Sequence, residues 1–340
     1  MSNYLDIFIN AYKGYADYLW REITFQVSPF WKNYFWMLVL VSGIFFLLEL
    51  MRPWREDQAR FRKDFWLDFF YMFFNFFLFS LIIYNASSEV IVSLFNNGIQ
   101  SLTGLDLQAS NPMQYWPYWA ILLTGFLVRD FIQWWVHRLL HKSPTLWEFH
   151  KVHHSVEQMG FAAHLRYHWM ENVVYRSLEY IPLALLGIGL HDFFLIHIFT
   201  LAWGHYNHAN IRLDGKITGG IVAGLIATFL LTTDYSLSLG LTLGVIAAST
   251  LIGAFLLGPY MKYLFNSPEM HIWHHSYHLP EERRAGVNFG LTLAIWDYIW
   301  KTDYIPHDGR DIPLGFPGLE NFPKSFAEQN LHGFSSKKEG

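Results

Sequence analysis

Cysteine is absent from this chain, which excludes disulfides, Cys-ligated zinc and Cys-ligated iron–sulfur clusters within it. Charge is scarce as well. Asp, Glu, Lys and Arg make up 15% of the residues, against about a quarter in soluble domains. Neither sign dominates: the formal net charge is −4, so no basic stripe exists to neutralise phosphates, and nucleic acid is not expected as a partner. The first 20 residues lack a basic start followed by an apolar core and a small-residue site, so no cleavable signal peptide is expected. What is present is apolar: 52% of the 340 residues are hydrophobic and 19% aromatic. That rules out a disordered, collagenous or disulfide-stapled chain.

A membrane-spanning helix needs about 20 mainly apolar residues, because hydrocarbon offers no partners for backbone groups. Such segments fall near residues 33–51, 65–84, 115–136, 173–190 and 193–205, the last being short. A further apolar pair, 217–232 and 235–258, is rich in Gly, Ala, Ser and Thr and is broken by the turn-like Thr232-Thr233-Asp234. Its small residues suit close helix packing in lipid. The expected fold is therefore all-α: an integral membrane bundle of five to seven spans or re-entrant segments. Orientation follows from Lys and Arg. Arg52, Arg55, Arg60, Arg62 and Lys63 crowd the loop after the first span, whereas 85–116 contains neither residue type. The first loop is expected in the cytosol, and alternation then places there the region after the third span and the C-terminal part.

Histidine is over-represented, with 17 in the chain, and the residues cluster. His137-x-x-x-His141 ends the third span, His150-x-x-His153-His154 follows, His205-x-x-His208 closes the fifth, and His271-x-x-His274-His275 opens the C-terminal region. Residues three and four apart share a helix face, so each cluster aims several imidazoles at one centre. At this histidine frequency one H-x-x-H-H is expected roughly 0.04 times by chance, and there are two. One tetrahedral zinc takes three or four ligands, so eight or more imidazoles suggest two metals in a histidine-rich cytosolic cap. Neutral imidazole suits Zn, Fe, Cu and Ni alike, so ligand type does not choose the metal. His164, His191, His197, His278, His307 and His332 stand alone and are expected to make ordinary local hydrogen bonds.

These motifs, in this order and on this scaffold, resemble the fatty acid hydroxylase / sterol desaturase superfamily. Asp130-Phe131 ahead of His137-Arg138, Leu146-Trp147-x-Phe149-His150, His208-Ala-Asn-Ile211, Asn266-Ser-Pro-Glu-Met-His271 and Asn288-Phe-Gly extend the match over about residues 115–325. The resemblance implies a membrane di-iron oxygenase that hydroxylates or desaturates a lipid with O2. Carried over residue by residue, the ligand set would be His137, His141, His150, His153, His154, His208, His271, His274 and His275, with His205 a near neighbour. The expected cofactor is two iron ions. A metal site facing the cytosol, in a bacterial inner membrane or the endoplasmic reticulum, follows from the same resemblance. One departure stands out: residues 214–256 form an apparent apolar hairpin insertion, which could line or narrow the path by which lipid arrives. The domain reading is thus 1–114 N-terminal membrane helices, 115–325 catalytic domain with that insertion, and 326–340 a polar tail.

Asp130 lies two turns before His137 within an apolar span, where an ionisable group is a functional candidate. It is expected either to accept the outer N–H of a ligand imidazole or to pair with neighbouring Arg129 or another helix. Arg166, His168 and Glu171 resemble a family segment, and His168 is a candidate catalytic residue with an ordinary loop role as the alternative. Trp134, Trp135, Trp147, Trp169 and Trp273 are expected as interfacial anchors. The chain has no G-x-G-x-x-G after a strand and no haem signature, so electrons are expected from a separate reductase with a cytochrome or ferredoxin. Glu281-Glu282-Arg283-Arg284 and the aromatic run 296–304 would dock that partner or cap the metals. The rivals are a membrane zinc hydrolase, against which no cluster has the form H-E-x-x-H, and a metal transporter, whose ionisable residues would run along the spans. Hydroxylation, desaturation and ether cleavage after hydroxylation all fit the sequence. So do fatty acyl, sterol-like, alkyl ether and carotenoid substrates.

Overall fold

The computed structural model describes residues 4–81, 85–105, 113, 115–186, 188, 190–234 and 238–334. Tyr4–Ile23 (α1) leads to Tyr34–Met51 (α2), joined through a carboxylate. Glu22, fully buried at the end of α1, accepts from the backbone N–H groups of Tyr34 (2.7 Å) and Phe35 (3.0 Å) at the start of α2. Those are orphan donors of a helix N-terminus, and Asn33 satisfies a third, from Trp36. Phe65–Phe73 (α3) runs into a single π turn, Phe74–Leu78. Widening the helix there presents Asn75, whose amide donates to the carbonyls of Leu165 and Tyr167. Asn85–Thr103 (α4) packs on α1.

Tyr118–Lys142 (α5) and Pro144–His154 (α6) meet at a sharp corner. Ser143 caps α6 through Leu146 N, and Pro144 supplies the fixed φ of a first helical position. Trp169–Leu185 (α7) and Leu190–His208 (α8) follow, then Gly215–Asp234 (α9) and Leu239–Leu256 (α10). After the one-turn Met261–Leu264 (α11), Pro268–His274 (α12) repeats the earlier device: Ser267 accepts from Met270 N and Pro268 opens the helix. Both H-x-x-H-H motifs therefore ride on short helices begun by Ser-Pro. Ile295–Trp300 (α13) and Phe326–Leu331 (α14) complete the order. Among the described residues there is no β-strand, only two isolated bridges, Phe265 with Leu293 and Ser276 with Leu314.

By length and composition, α2 and α10 are long and apolar enough to cross a bilayer, and α9 contains a shorter apolar stretch, 215–231. The other expected spans fall short for physical reasons. α3 is nine residues before its π turn, α5 carries Arg129, Asp130, Arg138 and Lys142, and α7 carries Glu171, Arg176 and Glu179 with Pro182 inside it. The expected break at Thr232-Thr233-Asp234 is instead the last turn of α9; Tyr235 lies outside the described residues. α9 and α10 pack through glycine. A side chain at Gly253 would strike Ala223 and Gly219 of α9, and one at Gly220 would meet Thr250 of α10. The tail reading of 326–340 is corrected too: α14 docks on α3 and α7, where Gln329 is fully buried against the Tyr71 hydroxyl (3.0 Å).

Candidate metal centre

Nine histidines gather into two groups, each with its ring nitrogens within 4.8 Å of one another: His137, His141, His150, His154 and His274, and beside them His153, His208, His271 and His275. They come from α5, α6, α8 and α12 and the residue after it, so the α5–α6 corner and the Ser-Pro start of α12 are what bring the motifs together. All but His141 are buried.

The outer nitrogen fixes what the inner one can do. His137 Nδ1 donates to Phe289 O (2.8 Å), His153 Nδ1 to Arg166 O (3.0 Å), His208 Nδ1 to Gly204 O (2.8 Å) and His274 Nδ1 to Val287 O (2.7 Å). His150 Nδ1 meets the buried carboxylate of Glu171 at 2.8 Å. A carbonyl only accepts, so these rings carry their proton on Nδ1 and turn a bare Nε2 lone pair inward. Those lone pairs face each other: Nε2 of His137 lies 3.2 Å from that of His150, and Nε2 of His153 lies 3.3 Å from that of His208. Around them Nε2 of His154 is 3.1 Å from that of His274, and Nε2 of His271 is 3.0 Å from that of His208. In the His137–His150 and His153–His208 pairs both Nδ1 atoms are so engaged, no proton stands between the Nε2 atoms, and the contact is repulsive by itself and would be relieved by a cation, whereas His271 Nδ1 lies 3.4 Å from the Asn266 amide nitrogen. The donor set fits a metal that accepts neutral imidazole, and neither group contains a carboxylate. Burial keeps the rings neutral: it pushes His153 down to about 3 and His150, His154, His271, His274 and His275 well below the ordinary imidazole value. His275 is the exception in its support, with Nδ1 buried and unpartnered among the described residues and its ring stacked on His154 at 4.4 Å.

Within this geometry the similarity to known proteins becomes specific. A fatty acid hydroxylase family profile matches residues 122–224. The chain is 27% identical over 222 residues to the ornithine lipid hydroxylase OlsE of Rhizobium tropici, covering 65% of this chain and 53% of that protein. Over 73 residues it is 40% identical to the very-long-chain aldehyde decarbonylase GL1-10 of Oryza sativa subsp. japonica, covering 21% of this chain and 22% of that one. These matches make the chain similar to fatty acid hydroxylases over the region that carries the first three histidine clusters, His208 included. The alignments span about half of the first relative and about a fifth of the second. No solved structure matches.

In this chain the loop bearing Val287 and Phe289 orients two of the clustered histidines, and two aspartates hold it. Asp297 accepts from Phe289 N (2.9 Å), Gly290 N (2.8 Å), Trp134 Nε1 (3.0 Å) and Thr302 Oγ1 (2.6 Å). Asp130 accepts from Thr292 N (3.2 Å), Leu293 N (3.3 Å) and Trp296 Nε1 (2.8 Å). Of the expected partners of Asp130, no imidazole touches it and Arg129 turns instead to Glu179, while the bond from Trp296 is the expected pairing with another helix. The action of Asp130 on the histidines runs through the loop. Asn288, at φ 51°, ties that loop to α12 through Met270 O (2.8 Å).

His168 is not at the centre. Its Nε2 donates to Asn330 O of α14 (2.8 Å) and its Nδ1 accepts from Met170 N at the start of α7 (3.0 Å), so both nitrogens are spent, one on clamping α14 and one on the local turn. Arg166 contributes its carbonyl to His153, while its guanidinium pairs with Asp64 (3.1 Å) and Asp68 (3.2 Å). Of the tryptophans expected as interfacial anchors, only Trp135 is exposed. Trp134 is fully buried on Asp297, Trp169 donates to Asn330 O, Trp273 to His307 O, and Trp147 packs on His141 at 5.0 Å. From the 296–304 run, Trp296 bonds Asp130 and Trp300 packs on Trp134 with ring centres 5.0 Å apart. His205 stays outside both groups, with Nε2 3.0 Å from Ser42 Oγ. His164 also stays outside both groups and makes the ordinary contact expected of it, Nδ1 3.2 Å from His205 Nδ1, with its ring 5.2 Å from that of His208 in space that any side chain at Gly204 would fill. The His191 side chain lies outside those described.

A cavity of about 750 Å³ opens onto the centre. His137, His150, His153 and His208 form part of its wall, and α1 contributes Ile7, Ala11 and Gly14 from one helical face.

Proposed function

We propose that this protein is a membrane-bound di-iron oxygenase that hydroxylates a C–H bond of a lipid. One observation carries the reading: nine imidazoles from four separate parts of the chain converge in two groups, with facing lone pairs fixed by outward hydrogen bonds. The fatty acid hydroxylase match and the ornithine lipid hydroxylase relative support lipid as the substrate class. Iron bound there would supply the oxidising power for an unactivated C–H bond, with O2 as co-substrate and electrons from a separate donor, because side-chain acid–base chemistry does not reach such a bond. Residues 115–325 form the catalytic part and the histidine cap faces the cytosol, while α5 turns Arg129 and Asp130 inward and Trp119, Leu123 and Leu127 outward.

The chain's own residues perform the remaining tasks. Phe289, Arg166, Gly204 and Val287 carbonyls and the Glu171 carboxylate hold five rings in one tautomer, so no ligand needs to lose a proton before binding metal. Asp297 and Asp130 keep the 287–293 loop from shifting. The cavity admits a chain beside His137 and His208 and keeps bulk water away, while α9 and α10 present leucine, isoleucine and phenylalanine outward to lipid. Residues 214–256 then bias which lipid arrives. Lipid mass spectrometry of cells expressing the protein or His274→Ala tests the reading. A +16 product that disappears with the variant is expected; an unchanged lipid profile contradicts it.

A further inference from the structure

The histidine groups are approached from two sides. His137, His150, His153 and His208 face the cavity, but His141, the one half-buried histidine of the nine, does not line it. Its neighbourhood is basic. Lys142 follows it and is exposed, and Arg138, one turn earlier, lies over the Trp134 ring at 5.4 Å with its Nε buried and unpartnered among the described residues. Trp134 packs on Trp300, and the next residue, Lys301, is exposed and closes α13 at φ 57°. The Lys301 carbonyl accepts from Arg283 Nη1 (3.3 Å), and the backbone bond from Gly286 N to Arg283 O (2.9 Å) closes a turn against His141. Gly286 stands at φ 100°, and a side chain there would meet His141 Nδ1 at 3.0 Å. Arg138, Lys142, Arg283 and Lys301 are therefore linked by contacts that start and end at the accessible histidine. Among the described residues none of the four pairs with a carboxylate. Glu281 and Glu282 stand exposed at the edge of this face, Glu281 beside Arg284 at 3.4 Å.

An oxygenase whose cavity is filled by its lipid needs a second approach for electrons. Hydroxylation by O2 consumes two electrons and two protons, places one oxygen atom in the C–H bond and releases the other as water. A one-electron carrier is therefore oxidised twice per turnover, and the first must leave before the second arrives. Contacts of that kind are small and transient, and charge steers them rather than a large apolar area. Resting on the hydroxylase reading above, we propose that the face around His141 docks a one-electron carrier protein with an acidic surface. The cations left without carboxylate partners supply the attraction, and His141 is the ring of the nine that such a carrier meets first. Lipid and carrier then use separate approaches, so the substrate stays bound while carriers exchange.

The test uses the full-length protein, metal-free and iron-loaded, in zwitterionic phospholipid nanodiscs. The probes are an acidic [2Fe–2S] ferredoxin, an acidic b-type cytochrome and a basic c-type cytochrome, compared by equilibrium binding. At least one acidic carrier is expected to bind both forms and the basic one neither. Binding should weaken as salt rises from about 0.05 to about 0.3 M, where screening shortens the reach of exposed charges. Lys142→Glu combined with Lys301→Glu should weaken it by about ten-fold or more, with iron content and helicity unchanged. Lys13→Glu, the same charge change on exposed α1, should alter it by less than about two-fold, and Glu282→Gln should tighten it. The proposal is overturned if no acidic carrier binds, if binding survives the double reversal, or if Lys13→Glu weakens it equally. It also fails if the double reversal instead reduces copurifying anionic phospholipid while no carrier binds, which would make this face a membrane contact. If carrier binding and its loss in the double variant hold but no lipid gains oxygen, the hydroxylase reading fails and the docking face stands. Lipid oxygenation with carrier binding untouched by the double reversal does the reverse.

Discussion

The histidine cap and the α9–α10 hairpin are built from the same low-charge sequence and are stabilised in opposite ways. In the cap, almost every polar atom is buried and braced across long stretches of chain: Asp130 reaches Thr292, and His137 reaches Phe289. In the hairpin, two neighbouring helices meet through Gly219, Gly220 and Gly253, and the outer faces carry exposed residues such as Leu239, Leu251 and Phe255. The cap specifies positions to fractions of an ångström because each hydrogen bond has a direction. The hairpin specifies only proximity, since close packing of small residues is tolerant of sliding and needs no polar partner. A metal centre demands the first kind of order, and a lipid-facing surface needs only the second.

Substitutions in the cap should therefore have the larger effects. His208→Ala or His274→Ala is expected to abolish product and remove at least half of the bound metal, measured by elemental analysis and lipid mass spectrometry. Retention of full metal content would break the comparison at its strongest point. Asp297→Ala leaves two backbone N–H groups, an indole N–H and a hydroxyl in need of partners. It should weaken metal binding about ten-fold, as loss of an orienting partner does, and lower thermal stability by about 2–3 kcal/mol. Unaltered metal affinity would show that the 287–293 loop does not set the ligands.

Acid should attack the cap selectively. Burial pushes His153 down to about 3 and His168 to about 4, below the unfolded value of about 6.5. The unfolded chain then binds more protons than the folded one between about pH 6.5 and 4, so stability rises with pH across that window and is lost as pH falls through it. Metal-free protein is expected to show a falling unfolding midpoint from pH 7 to pH 4. A flat profile would mean the buried histidines are already protonated in the fold. The smallest effect on metal is expected in the hairpin. Gly253→Val forces α9 and α10 apart, because the added atoms meet Ala223 and Gly219. It should lower thermal stability and shift lipid preference while iron content stays at the wild-type level; loss of iron would tie the hairpin to the cap.

Much of the centre was legible in the sequence, and the reason is periodicity. Histidines three and four apart on a helix must share a face, so spacing grouped ten rings into one constellation, and the family resemblance set His205 aside to leave the nine. Their supports were not legible. Four of the five outward acceptors are backbone carbonyls, which leave no residue-type signature, and the fifth, Glu171, lies 21 positions from His150. Asp130 was singled out for the right reason, an ionisable group in an apolar helix, but its partners lie more than 160 residues away. His168 looked catalytic by its neighbours and is a clamp for α14, a helix the sequence hid behind a polar-looking tail. Two helices pass the test of length and apolarity where five to seven spans or re-entrant segments were expected, because α5, α7 and α8 carry Arg129, Glu179 and His197 among their apolar residues.

The most direct test is calorimetric titration of metal-free protein with ferrous iron at pH 7 without oxygen, in two buffers of different ionisation enthalpy. Two ions bound per chain with less than about one proton released in total is the expected result, because neutral imidazoles already present bare nitrogens to both foci. A single bound ion, or release of several protons, would contradict an account built on two preorganised sets of neutral histidines.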